Sequence, residues 1–119
     1  MASASKPRAL SARGAQIIIG DLDAELADIE AAKIGGTGAQ LDVTDEASFA
    51  GFVERAGHID VLVNNAGVMP TGPFLDQSAE LIEQMFAVNV FGVARGVRLV
   101  LPEMLERGDG QIVNIASVA

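Results

Sequence analysis

The chain has 119 residues, half of them apolar, which is enough for one modest folded domain and too few for two. Its formal charge of −8 at pH 7 opposes a phosphate backbone, so nucleic acid is not expected as a partner. With no cysteine, disulfide scaffolds and thiolate metal sites are excluded, which suits the reducing cytoplasm expected as its location.

In chain order, residues 6–12 read as the last turns of a helix, with Arg13 in the final turn and Gly14 placed to cap it. The Ala-, Ser- and Arg-rich start is similar to organelle transit segments, but a turn and strand already begin at Gly14, so no cleavable leader is expected. Residues 16–20 form a β-branched run of the kind buried on both faces of a sheet, and Asp21 ends it. Asp23 can cap a helix running through Leu26 and Ile29 to about Lys33, where Gly35 and Gly36 stop it. A brief strand is expected over 39–43, closing on Asp42 and Val43. Thr44 is a good N-cap for the next helix, which presents Phe49, Phe52 and Val53 and reaches about Ala56.

A further strand over 59–63 runs into Asn64, Asn65, Ala66 and Gly67. The Gly/Pro-rich stretch 67–73 is a loop, because its breakers forbid regular structure. A long helix is predicted over 78–107, bent near its end by Pro102 and terminated by Gly108 and Gly110. Its apolar core, 85–101, is interrupted by Arg95 and Arg98 and so reads as a buried helix rather than a membrane span. The last strand covers 111–115 and leads to Ser117. Helices alternating with short strands imply crossover connections and an α/β fold with a parallel sheet.

Each of these strands finishes in a polar residue: Asp21, Asp42, Asn64 with Asn65, and Ser117. Parallel strands set such tips along one edge, where α/β proteins bind their ligands. Asp21 can serve there in either of two ways, accepting hydrogen bonds from a ribose or capping the helix that starts near Leu22. Ala66 and Gly67 lack side-chain bulk, which lets backbone approach a ligand closely. Asn89 sits between Val88 and Val90 in the long helix, where an amide that is buried needs partners. His58 is the only histidine, a poor metal ligand on its own, and reads as a solvated turn residue.

The run Ile59-Asp60-Val61-Leu62-Val63-Asn64-Asn65-Ala66-Gly67 resembles the Asn-Asn-Ala-Gly signature of the short-chain dehydrogenase/reductase family, and the resemblance extends from about Pro7 to Ala119. It implies a doubly wound, Rossmann-like parallel sheet binding NAD, with NADP disfavoured because Asp21 would repel a 2′-phosphate. It places Asp42 and Val43 against the adenine, has Asn64 tie neighbouring strands together, and sets Asn65, Ala66 and Gly67 beside the cofactor ribose. Asn89 and Ser117 match catalytic positions, Asn89 through a water relay and Ser117 by orienting the substrate carbonyl, whereas Asn114 serves the sheet. The substrate class implied is a small alcohol or ketone, no metal or membrane is involved, and the matching 78–107 helix builds a homo-oligomer interface.

The same resemblance implies that the chain is the middle of a longer pattern, a single partial dinucleotide-binding domain over 1–119. The family's Thr-Gly-x-x-x-Gly-x-Gly phosphate loop has no counterpart, and its Tyr-x-x-x-Lys pair is missing because the chain contains no tyrosine. The first, central strand is therefore expected to be absent, leaving two strand pairs with bare inner edges, and the isolated chain to be inactive. The alternative is a non-catalytic remnant or interaction module held by partner chains. A flavodoxin-like receiver domain fits less well, since the first strand ends in a single acid and Lys6 and Lys33 are the only lysines.

Overall fold

The computed structural model describes residues 10–116, which divide into two compact units, one closing at Gly57 and the other beginning at His58. The earlier part of the terminal helix predicted over 6–12 lies outside the described residues. Its last turn ends as expected: the Gly14 amide donates to the Ser11 carbonyl at 2.9 Å and Gly14 takes a φ of 83°, open to glycine without strain.

In the first unit, β1 (Ile18–Asp21) pairs in parallel with β2 (Thr37–Gln40), in a register running from Ile18 opposite Thr37 to Asp21 opposite Gln40. Backbone bonds from Thr37 to Ile17 at 3.0 Å and from Leu41 to Asp21 at 2.7 Å extend this ladder at both ends. β2 thus begins two residues earlier than the sequence pattern predicts and stops before Asp42. The reason is Gly38, a poor strand former that is required here by α1 (Ala24–Ala32). A Cβ on Gly38 would lie 2.5 Å from the Ala27 carbonyl carbon and would strike the Asp28 amide nitrogen as well. The helix backbone therefore rides directly on β2, with Ala27 and Ala31 only 1% exposed. Leu26 and Ile29, through which the helix was expected to run, lie on its exposed side.

The next helix, α2 (Glu46–Ala56), is capped by Asp45 and not by Thr44. Thr44 is already engaged with Asp42, while the Asp45 carboxylate accepts the Ser48 amide at 3.1 Å. Phe49 is buried, and Phe52 with Leu41 fills the space over Gly20, where an added Cβ would meet both side chains at 3.0 Å or less.

In the second unit, β3 (Val61–Asn64) pairs in parallel with β4 (Gln111–Asn114), from Val61 opposite Gln111 to Asn64 opposite Asn114. Among the described residues each strand of the two pairs has a single ladder partner, so one edge of β1 and one of β3 carry no ladder. After a 3₁₀ turn at Phe74–Asp76, the predicted long helix appears as three joined segments: α3 (Ala79–Phe86), a π-helical stretch (Ala87–Gly92) and α4 (Val93–Arg107). Ser78 caps it, accepting the Leu81 amide at 3.2 Å, and α4 runs through Pro102 before Gly108 ends it in the left-handed conformation at φ 70°.

The helix buries a narrow stripe of Gly92, Gly96, Val100 and Met104, four residues apart. Several of its other apolar residues are exposed, Phe91 at 60% and Leu105 at 70% among them, while Leu81, Ile82, Val93 and Val97 are half-buried. The expectation of a buried helix is thus met on one side only: Ala79–Arg107 is long and apolar enough to cross a membrane by length and composition, and 17% of its most apolar window is buried. At its end Arg107 donates to the Ile59 carbonyl and, at 3.2 Å, to Glu103, tying the helix to the start of β3. His58 is exposed, as expected, and its Nε2 lies 2.9 Å from Asp60 Oδ1.

Two glycines test this packing. Gly38→Ala should destabilise the chain by about 1–3 kcal/mol in urea denaturation, because backbone must move to admit the methyl group. Gly51→Ala, inside α2 with open space around it, should stabilise by roughly 0.5–1 kcal/mol.

Candidate functional site

Two acidic turns follow the strands of the first unit. Asp21 ends β1 half-buried, and its Oδ1 accepts the Asp23 amide at 2.9 Å. Asp23, in turn, caps α1 by accepting the Glu25 and Leu26 amides at 3.0 and 3.1 Å. Of the two roles open to Asp21 from the sequence, capping thus belongs to its neighbour. Across the ladder, the Gln40 side-chain amide donates to the Leu22 carbonyl at 3.2 Å. Asp42 lies two residues beyond the end of β2, beside half-buried Val43. Its carboxylate accepts both the Thr44 amide, at 2.9 Å, and the Thr44 hydroxyl, at 2.6 Å, while its own amide donates to Ser48 Oγ at 3.0 Å. Parallel pairing places Asp21 and Asp42 beyond the same, carboxyl, end of β1 and β2.

The second unit builds its strand end from amides. Asn64 is buried, and its Nδ2 donates to Oδ1 of Asn114, its register partner, at 2.9 Å. Both residues serve the sheet, as the sequence led us to expect. Asn65 follows half-buried, and Ala66 and Gly67 are exposed in extended, irregular chain. Beyond them Asn89 closes a two-point clamp: its Oδ1 accepts the Val68 amide at 2.9 Å and its Nδ2 donates to the Val68 carbonyl at 2.8 Å. Asn89 is exposed rather than buried, and this pairing supplies the partners an amide in an apolar helix needs. It stands within the π-helical stretch, where the widened turn re-aims side chains and which is found frequently at functional sites.

Gly67 shows what this arrangement leaves open. Its φ is not positive, and an added Cβ would meet only Asn89 Oδ1, at an ordinary 3.5 Å. Neither backbone conformation nor packing among the described residues therefore demands glycine here, which fits a backbone kept bare for a ligand. Ser117 lies outside the described residues. β4 leads toward it, and beyond the strand the Ile115 amide donates to the Asn64 carbonyl at 3.0 Å. No group of three or more His, Asp or Glu side chains among the described residues is arranged to hold a metal ion.

Gln40, Thr44 and Ser48 were not among the site residues expected from sequence. Only Ser48 left a signal, standing three residues after the capping Asp45. The clamp predicts that Asn89→Ala exposes the Val68 amide: its hydrogen exchange should accelerate roughly tenfold or more, as removal of about 1–3 kcal/mol of hydrogen bonding requires. NMR-detected exchange measures this directly, and exchange in β1 should not change.

Comparison with known proteins follows the same lines. The family model described as short chain dehydrogenase matches residues 6–119. The 2,5-dichloro-2,5-cyclohexadiene-1,4-diol dehydrogenase LinX of Sphingobium indicum is 36% identical over 97% of this chain and 50% of its own length. Oxidoreductase UcpA of Salmonella typhimurium is 41% identical over 93% of this chain and 45% of its own length. The solved short-chain dehydrogenase from Sphingobium yanoikuyae in complex with NADPH superposes with a TM-score of 0.85 at 31% identity, over 97% of this chain and 48% of that one. The chain thus spans about half the length of the relatives it matches. It belongs to the short-chain dehydrogenase family, oxidoreductases that use nicotinamide cofactors, and carries an incomplete version of their Rossmann-like α/β fold.

Proposed function

We propose that this chain is part of an NAD-dependent oxidoreductase that interconverts a small alcohol and its carbonyl. The observation that carries the reading is the bare Asn65-Ala66-Gly67 segment, fixed at one end by the Asn64–Asn114 pair and at the other by the Asn89 clamp on Val68. A segment held so firmly yet open to solvent is suited to lie against a flat ligand. NAD, when bound, supplies the site that accepts or releases hydride.

The chain's own residues bind and orient. Asp21 would accept hydrogen bonds from the adenosine ribose hydroxyls and repel a 2′-phosphate, which favours NAD although one solved relative holds NADPH. Asp42 would accept from the adenine amino group with Val43 beside it, and the backbone from Asn65 to Gly67 would face the nicotinamide ribose. Ser117 would orient the substrate carbonyl. Asn89 contributes by fixing the loop next to that ribose. The chain contains no tyrosine, so the acid-base group of the family's reaction is not among its residues. General acid-base catalysis typically contributes about 10²–10⁴-fold, and the isolated chain would lack it.

A second reading, an interaction module held by partner chains, draws on the exposed Phe86, Val90, Phe91 and Leu105 of the long helix. An apolar side of this kind suits association, and a homo-oligomer through 78–107 is the form we propose.

Titration of the 119-residue chain with NAD should give saturable binding, and absence of binding would favour the second reading. Asp21→Asn keeps an oxygen for the Asp23 amide while removing the charge. It should therefore raise relative affinity for NADP about tenfold, the effect of one weakened charge repulsion. Gly67→Ala should weaken NAD binding with the melting temperature unchanged, since nothing among the described residues opposes the methyl group.

A further inference from the structure

We infer that Gln40 is a positioning residue for cofactor selectivity: it fixes the direction of the Asp21 carboxylate by tying the Leu22 carbonyl to the sheet. This rests on the cofactor reading above and concerns the same acidic turn.

The ladder between β1 and β2 holds Asp21 only as far as its carbonyl, which accepts the Leu41 amide at 2.7 Å. Past that point the chain leaves the sheet. The bond from the Asp23 amide to Asp21 Oδ1 is local, spanning two residues, and makes the turn rigid without anchoring it to anything else. Apolar packing does not anchor it either, because Leu22 is 63% exposed. Among the described residues, the hydrogen bond that fastens this turn to the neighbouring strand is the one from Gln40 Nε2 to the Leu22 carbonyl, 3.2 Å long and bridging 18 positions of sequence.

The chemistry of the side chain matters as much as its reach. A glutamate of the same length would set a second negative charge against a carbonyl oxygen, and a lysine or arginine would neutralise Asp21 and welcome a 2′-phosphate. Glutamine donates a hydrogen bond and brings no charge. The field of Asp21 is left intact and its direction is held, so the carboxylate accepts from a ribose diol in one geometry and opposes a phosphate in the same geometry. Gln40 itself touches no part of the cofactor in this reading.

The test compares dissociation constants for NAD and NADP in the unaltered chain and in Gln40→Met, which keeps length and loses the donor. The ratio of NADP to NAD constants should fall roughly fivefold, as loss of one neutral hydrogen bond permits, and exchange of the Asp23 amide should quicken by a similar factor. The melting temperature should not move, so a merely structural role would leave the ratio where it was. Gln40→Leu, a second variant without a donor, should repeat the result. An unchanged ratio in a chain that does prefer NAD overturns the inference alone. Failure of the unaltered chain to bind either dinucleotide, or to prefer NAD, removes the cofactor reading and this inference together.

Discussion

In-register parallel pairing of very short strands is the constraint from which the rest of the structure follows. Each pair is four residues long, with Asp21 opposite Gln40 in one and Asn64 opposite Asn114 in the other. Parallel alignment brings the carboxyl ends of a pair together, and because the strands are short the chain leaves the ladder at once. The backbone groups just beyond still need partners. Side chains provide them: Asp21 for the Asp23 amide, Gln40 for the Leu22 carbonyl, Ser48 for the Asp42 amide, Asn89 for both polar groups of Val68. The polar residues at the strand ends are first of all a solution to this accounting problem. In solving it they give the strand ends of each unit a fixed shape, which is what a binding site requires.

The two units reach this condition by different chemistry. In the first, carboxylates dominate the edge and suit ligand groups that donate hydrogen bonds, such as hydroxyls and amines. The packing behind them is tight because Gly38, Ala27 and Ala31 let a helix lie almost on the strand. In the second, neutral amides dominate, and the exposed segment between them is made of small residues. There the helix changes its own winding, and the π-helical stretch carries Asn89 to Val68. The strand ends of the first unit are thus written in charge and those of the second in clearance.

Much of this was legible in the sequence, for identifiable reasons. Glycines with positive φ, such as Gly14 and Gly108, announced the helix ends because few other residues adopt that conformation without strain. Apolar runs closed by Asp or Asn announced the strands and their tips, and the family resemblance implied that Asn64 and Asn114 serve the sheet, though not that they bond to each other. What failed to show depended on contacts far apart in the chain. Gly38 argued against a strand until the approach of α1 explained it, whereas Thr44, tied locally to Asp42 two residues before it, looked like a cap because the same side chain suits either role. The outward turn of Leu26 and Ile29 traces to the same approach of α1, since helix periodicity cannot reveal which of two possible faces a glycine in the next strand will receive. The π-helical stretch was invisible because Val88, Asn89 and Val90 are compatible with an ordinary helix.

The turns beyond the strands are proposed, in each unit, to face a dinucleotide. This is tested most directly by two-dimensional ¹H–¹⁵N NMR of the chain during addition of NAD. Saturable shifts are expected at the amides of Asp21 to Asp23 and Asp42 to Thr44 in the first unit and of Asn65 to Val68 in the second. Shifts that are absent from these three segments, or confined to the exposed side of the helix around Phe91 and Leu105, would contradict the proposal.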